Sequence, residues 1–201
     1  MSHFPHIESG TADRLVQAAT HLFWERSFAS VSVSEICDRA MVCKGSFYYF
    51  FSSKSALLLA ALETERQHDR SILDQIFATE GSPRVRLQRL CQKGYEIQRR
   101  KRAECGRVCG WFSGVVGSEL ACRDEQARCE VVKTIGEIVD RIDRSIIFPM
   151  CDSHKSRQLA SMIFGYIQGC LLEARIRNDL QPVHNMAHDI RAFSPNLLGT
   201  K

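Results

Sequence analysis

Two groups of residues in this chain carry side chains and spacing suited to chemistry. The first is Lys44-Gly45-Ser46-Phe47-Tyr48-Tyr49, with Lys54 ten residues past Lys44. Cationic, hydroxyl and phenol groups interleaved with small residues suit contact with a polyanion, and Gly45 and Ser46 allow close approach to it. The second is Cys105 and Cys109, four residues apart and flanked by Arg99, Arg100, Lys101, Arg102 and Arg107. Positive neighbours lower a thiol's pKa and enlarge the thiolate fraction, the reactive form, so this pair suits attack on an electrophile or an oxidant. The two thiols are also spaced to bond to each other, or to Cys122.

Each group needs an element to position it. Ser32-Val33-Ser34-Glu35 is a capping box, in which Ser32 and Glu35 satisfy each other's backbone N–H groups and start a helix. Val33, Ile36, Cys37 and Ala40 then share one helical face. Met41-Val42-Cys43 is long enough only for a turn. A second helix runs from Lys44 to Phe50, with Phe47, Phe50 and Phe51 directed inward and Lys44, Ser46 and Tyr48 outward. Two short helices across a tight turn are the layout of a helix-turn-helix, whose second helix enters the major groove of DNA.

The segment from Ser32 through Lys44-Gly45-Ser46-Phe47-Tyr48-Tyr49 to Ser53-Lys54 and Leu57 resembles the DNA-binding domain of the TetR family of bacterial repressors. The resemblance implies an all-α chain: a three-helix DNA-binding domain over residues 1–55, then a larger helical effector-binding and dimerisation domain over 56–201. It implies a homodimer reading a double-stranded palindromic operator. DNA contacts then fall to Lys44, Gly45 and Ser46 at the helix start, Tyr48, Tyr49 and Lys54 at phosphates, and Ser32 and Ser34 at the neighbouring helix end. Three positions depart from the family pattern. Met41 stands where Gly is preferred, Cys43 replaces the usual Ser cap, and Phe50 replaces a polar His or Tyr. Gly tolerates left-handed backbone best, so Met41 is expected to strain the turn, and Cys43 to weaken the cap.

The remaining chain reads as consecutive helices: residues 9–27, 52–77, 84–102, 112–121, 124–148, 155–179 and 187–193. Pro149 is expected to stop one of them and Pro182 to end the last loop; 103–111 is read as an exposed loop. The stretch 155–179 is apolar on more than one side, which requires neighbours on both. Leu159, Ile163, Ile167 and Leu171 are the dimer-interface candidates, on the family's use of its last two helices for a four-helix bundle.

The segment from Cys105 to Glu125 resembles the Arg-Gly-Cys-Leu-x-Gly-Asn-Leu…Glu-Leu stretch of a TetR subgroup that includes electrophile-sensing and acrylate-responsive repressors. Aligned through Gly110, Gly114 and Glu119, the subgroup's cysteine falls on Trp111, so Cys109 is not that residue by position. Effector or sensor candidates are Cys105, Cys109, Trp111, Phe112, Cys122 and Tyr166. A thiol modifier and a small molecule in a helical pocket both stay open; metal sensing rests only on His154 near Cys151. Cys37, Cys91, Cys170 and Cys129 suit the role of small buried hydrophobes.

Composition bounds these readings. The chain has 201 residues, a net charge of +4 and nine cysteines. That length holds a sizeable core. There is no apolar run of membrane-spanning length and no leader-like start, so the expectation is a cytoplasmic protein with reduced thiols and no membrane partner. Residues 1–56 carry five basic and five acidic groups, so the charge that favours DNA is local, at Lys44 and Lys54, rather than global. Nine basic residues between Arg84 and Arg107 against Glu96 and Glu104 read as a solvated helix face, or as an anion-attracting pocket mouth. No cofactor, catalytic residue or metal site is called for. The rival readings are a helical cysteine-dependent enzyme, which would need a partnered Cys–His pair, and an interaction scaffold that does not bind DNA. Neither accounts for Lys44 to Lys54.

Overall fold

The computed structural model describes residues 10–147 and 153–193. These form helices and no strands: α1 (Thr11–Glu25), α2 (Val33–Ala40), α3 (Lys44–Phe50), α4 (Lys54–Ala78), α5 (Pro83–Cys105), α6 (Phe112–Leu120), α7 (Glu125–Ile142), α8 (Ser153–Arg177) and α9 (Gln181–Phe193). A π-helical turn, Asp143–Ile147, extends α7. Phe148 to Asp152, including Pro149 and Cys151, lie outside the described residues, as do the side chain of His154 and residues 1–9 and 194–201.

The chain divides into two compact units, Met1–Gln67 with Phe112–Val132 and His68–Trp111 with Lys133–Lys201. Helices α4 and α7 run through both. In the first unit, Leu15, Ala19 and Phe23 of α1, Ile36 of α2, Phe47 of α3 and Leu57, Leu58 and Ala61 of α4 are fully buried. Their 3- and 4-residue spacing puts each set on one helix face. Helix α6 belongs to this core: Phe112 meets Trp24 edge-on at 5.7 Å between ring centroids. A Cβ on Gly117 would fall 2.8 Å from Val131 Cγ1, so only glycine lets α6 approach α7 this closely.

The second unit is built on Leu87 and Cys91 of α5, Val139, Ile142 and Ile146 of α7 and its π-helical extension, the inner face of α8, and Val183, Met186 and Ile190 of α9. Ile163 and Leu171 are only 1% and 7% exposed in this core, with Leu159 and Ile167 packed against it. Of the four dimer-interface candidates, Ile163 and Leu171 therefore serve the chain's own interior, while Leu159 and Ile167 are half-buried at its edge. The apolar face that α8 leaves open is Met162, Leu172 and Ile176, which are 56%, 58% and 75% exposed. Sequence alone could not tell the two faces apart, because both are apolar.

Pro182 does not end a loop; it is the second residue of α9. The first helical turn has no use for a proline N–H, so proline is tolerated there. The ninth helix is accordingly longer than residues 187–193. Helix α5 likewise continues past 102 to Cys105, where Gly106 at φ +77° closes it.

Candidate DNA-reading surface and thiol clasp

Helix α2 begins at the capping box read from the sequence. Ser32 Oγ accepts the Glu35 N–H at 3.2 Å, and Glu35 Oε2 accepts the Ser32 N–H at 2.8 Å. Arg26 Nη1 reaches Glu35 Oε1 at 2.7 Å. The Ser32 N–H above all, then Arg26, holds the Glu35 carboxyl down to about 2. The turn after α2 passes through Met41 at φ +54°, ψ +49°, the left-handed region in which a Cβ is penalised. Cys43 gives no side-chain cap to α3. Its thiol lies 3.3 Å from Ser46 Oγ instead, a contact that lowers the thiol's pKa.

Helix α3 turns one residue inward and the rest out. Phe47 is fully buried, while Tyr48, Tyr49 and Phe50 are 60%, 83% and 44% exposed. Phe50 therefore does not pack inward as its apolar type suggests: three positions past Phe47, it completes an exposed aromatic face with Tyr49, whose ring centroid is 4.9 Å away. Lys44 and Gly45 are exposed, and Ser46 is half-buried beside them. Ser34 is half-buried on the first turn of α2.

Lys54 occupies a different setting from the other cation. Its ammonium donates to Phe28 O at 2.8 Å and Val31 O at 2.7 Å, and stands 4.3 Å from the centre of the Phe28 ring. Two of its three N–H groups hold the α1–α2 connection. Burial lowers its pKa, against the opposing pull of Glu119 and Glu35. Glu119 of α6 completes this clamp: its oxygens accept the N–H groups of Phe28 at 2.8 Å and Ala29 at 2.9 Å. The sequence marks Glu119 only as part of a motif. Its partner lies some ninety residues away, a separation local patterning does not reach.

The second unit holds the thiols. Cys105 is half-buried at the end of α5, and Cys109 is 3% exposed, not in an open loop. Their sulfurs are 3.5 Å apart. Cys105 Sγ donates to Lys101 O at 3.0 Å. Basic neighbours do not win at Cys109: burial first, then the contact with Cys105, pushes its thiol up to about 12, with Lys101 and Arg175 pulling weakly the other way. Desolvation outweighs cations whose own charges remain near water.

A set of polar groups that sequence reading missed grips the segment around Cys109. Gln98, 3% exposed, accepts the N–H groups of Cys109 at 3.2 Å and Gly110 at 2.9 Å and donates to Gly110 O at 3.1 Å. Arg175 donates to Cys109 O. Asn178, in left-handed backbone just past α8, accepts the Val108 N–H at 2.9 Å and donates to Gly106 O. A glutamine inside a helix that is otherwise basic on its outer face was the available signal.

Among the other effector candidates, Trp111 is half-buried, donates its indole N–H to Asp69 Oδ2 at 2.8 Å and meets Phe164 edge-on. Burial raises the Asp69 carboxyl to about 6, against the lowering effect of the Trp111 bond. Tyr166 donates to Asp189 at 2.8 Å, and burial and that carboxylate raise its pKa. Phe112 is core of the first unit, and Cys122 is exposed in the turn after α6. Cys37, Cys91 and Cys170 are buried as read, but Cys129 is exposed on α7, beside Glu125. Among the described residues no group of three His, Cys, Asp or Glu side chains is placed to hold a metal ion. No helix there is long and apolar enough to cross a membrane.

Residues 15–61 match the family model of bacterial regulatory proteins of the tetR family. This segment is a TetR-family DNA-binding domain. Over 91% of its length it is 23% identical to the HTH-type transcriptional repressor NemR of Escherichia coli, of which 94% is covered. Over 85% it is 26% identical to the transcriptional regulator AcuR of Cereibacter sphaeroides, of which 79% is covered. The crystal structure of a TetR regulatory protein from Rhodobacter sphaeroides superposes with a TM-score of 0.80 at 24% identity, covering 90% of this chain and 97% of that one. The chain is thus a DNA-binding transcriptional regulator and not an enzyme, and its thiols are read as parts of a regulator.

Proposed function

We propose that the protein is a repressor that binds a palindromic operator as a homodimer and is released by an effector, with residues 1–55 reading DNA and 56–201 carrying effector response and dimerisation. The observation that carries this reading is α3. Lys44, Gly45 and Ser46 stand at its start and Tyr48 and Tyr49 along its open face, on a helix anchored by Phe47 alone. Gly45 and Ser46 lie against base edges; Lys44, Tyr48 and Tyr49 hold phosphates, with Ser32 and Ser34 at the end of α2. Lys54 keeps one N–H for a phosphate while it positions the α1–α2 connection. Two copies pair through the open face of α8, where Met162, Gly165, Gly169, Leu172 and Ile176 follow the alternating three- and four-residue spacing of a helix–helix seam. A Cβ at either glycine would meet nothing within 4 Å in the chain, which leaves room for a second helix to come close. A repressor of this kind works in the cytoplasm.

The test is fluorescence anisotropy on a duplex from the region upstream of the protein's own gene, across a salt series. Binding weakens steeply with salt, and Lys44→Ala flattens the log–log slope by about 1 for each subunit. Equal affinity at low and high salt, or a variant with the wild-type slope, removes Lys44 from the phosphate contacts.

A further inference from the structure

The two sulfurs at the end of α5 form a unit whose chemistry differs from that of a single reactive cysteine. Cys105 and Cys109 stand 3.5 Å apart, and only Cys105 is open to solvent to any extent. A single-thiol sensor needs an exposed thiolate. Cys109 is the opposite: enclosed, protonated, and pointed at its neighbour rather than at water. What this arrangement suits is a two-step closure, with one accessible sulfur to meet the reagent and one protected sulfur already in place to displace it.

We propose that Cys105 and Cys109 are an oxidisable dithiol that closes to an intramolecular disulfide with hydroperoxides, and that closure unlocks the peptide held by Gln98, Arg175 and Asn178. Cys105 attacks the terminal oxygen of the hydroperoxide, becoming a sulfenic acid while an alcohol leaves. The Cys109 sulfur then attacks the Cys105 sulfur, the S–S bond forms, and the sulfenic oxygen departs as water with the Cys109 proton. Two thiols lose two electrons in all, and one hydroperoxide becomes one alcohol and one water. A disulfide is about 2.05 Å long, so the sulfurs must approach well inside their present contact. Cys109 is the pinned partner: its N–H and the next N–H are both bonded to Gln98 Oε1, and its carbonyl accepts from Arg175. Movement of Cys109 toward Cys105 pulls on those bonds, and through Arg175 and Asn178 on the C-terminal end of α8. That helix carries the open apolar face, so the oxidised state differs where the proposed dimer forms. Only this last link rests on the repressor reading.

The experiment uses the full chain, with Cys122→Ser as background, reduced and then treated with tert-butyl hydroperoxide. Trypsin cuts at Arg102, Arg107 and Arg123, which places Cys105 and Cys109 on separate peptides, 103–107 and 108–123. The background substitution leaves Cys109 as the only thiol on the second. Closure gives these two peptides linked and two hydrogens lighter than their sum. Amide exchange at Cys109 and Gly110 accelerates on oxidation, because the Gln98 bonds that protect those protons are lost. Operator affinity falls about ten-fold or more and returns with dithiothreitol. Cys105→Ser, at a half-buried site, shows none of the three changes, and Cys109→Ser leaves Cys105 oxidised but unlinked. Absence of the linked peptides overturns the proposal. So does a linked protein whose Cys109 and Gly110 protons stay protected, or whose operator affinity is unchanged. If the reduced protein does not bind the operator at all, the repressor reading falls, while the peptide map and the exchange rates still decide the cysteine pair.

Discussion

Asp69 shows how a single side chain can work against its own fold. Its carboxylate takes the Trp111 N–H, yet burial raises its pKa from 3.8 to about 6. A raised acid binds its proton more tightly in the folded state than in the unfolded chain. Its ionisation therefore costs no stability below pH 4, costs progressively more between pH 4 and 6, and costs the full amount above. Asp69→Asn keeps an oxygen for the indole and carries no charge. The substitution is expected to stabilise the protein at pH 7.5 by about 1–3 kcal/mol, and the advantage should vanish near pH 4. Thermal melts of both proteins across that range check it; a difference in Tm that does not change with pH would sink the idea. At the thiols the same physics decides the state at rest. The sequence surrounds Cys109 with cations, but enclosure dominates and keeps it protonated.

At the scale of elements, the reader depends on a turn that the sequence makes costly. Met41 adopts φ +54° with its side chain 82% exposed, so no packing compensates for the left-handed backbone. Met41→Gly is expected to stabilise by about 1 kcal/mol, a rise in Tm of about 2–4 °C for a chain of this size. Operator affinity should stay within error, since Met41 caps α2 rather than presenting α3. A lower Tm would mean that the methionine packs in a way its exposure denies. The opposite end of α2 is well built, because Ser32 and Glu35 satisfy each other and Arg26 locks the carboxylate. The capping box was legible because its partners are three residues apart. The Glu119 clamp on Phe28 and Ala29 was not, because nothing near Glu119 in sequence signals its acceptors' donors.

For the whole molecule, assembly turns on which side of α8 is free. Leu172→Glu places a charge on the open face without touching the core, where Ile163 and Leu171 sit. The variant is expected to keep its helix content and Tm, to sediment as a monomer where the wild type is a dimer, and to lose most of its operator affinity, since one copy reads only one half-site. Sedimentation equilibrium and anisotropy check both parts. A dimeric Leu172→Glu protein would move the interface elsewhere.

The sequence by itself determined the elements and the reader. Helix periodicity, the capping box and the Lys44 to Phe50 helix all act within a few residues, so they are written locally. The all-α class and the kinship to DNA-binding regulators follow from them. Only the tertiary structure decided which apolar face of α8 is core, whether Cys109 is open or enclosed, that Cys129 is exposed, and that Gln98, Asn178 and Glu119 tie together segments far apart in the chain. Burial and long-range hydrogen bonds depend on what other helices bring to a residue, and a thiol's charge state or a helix's free face follows from that neighbourhood rather than from the residues beside it in sequence.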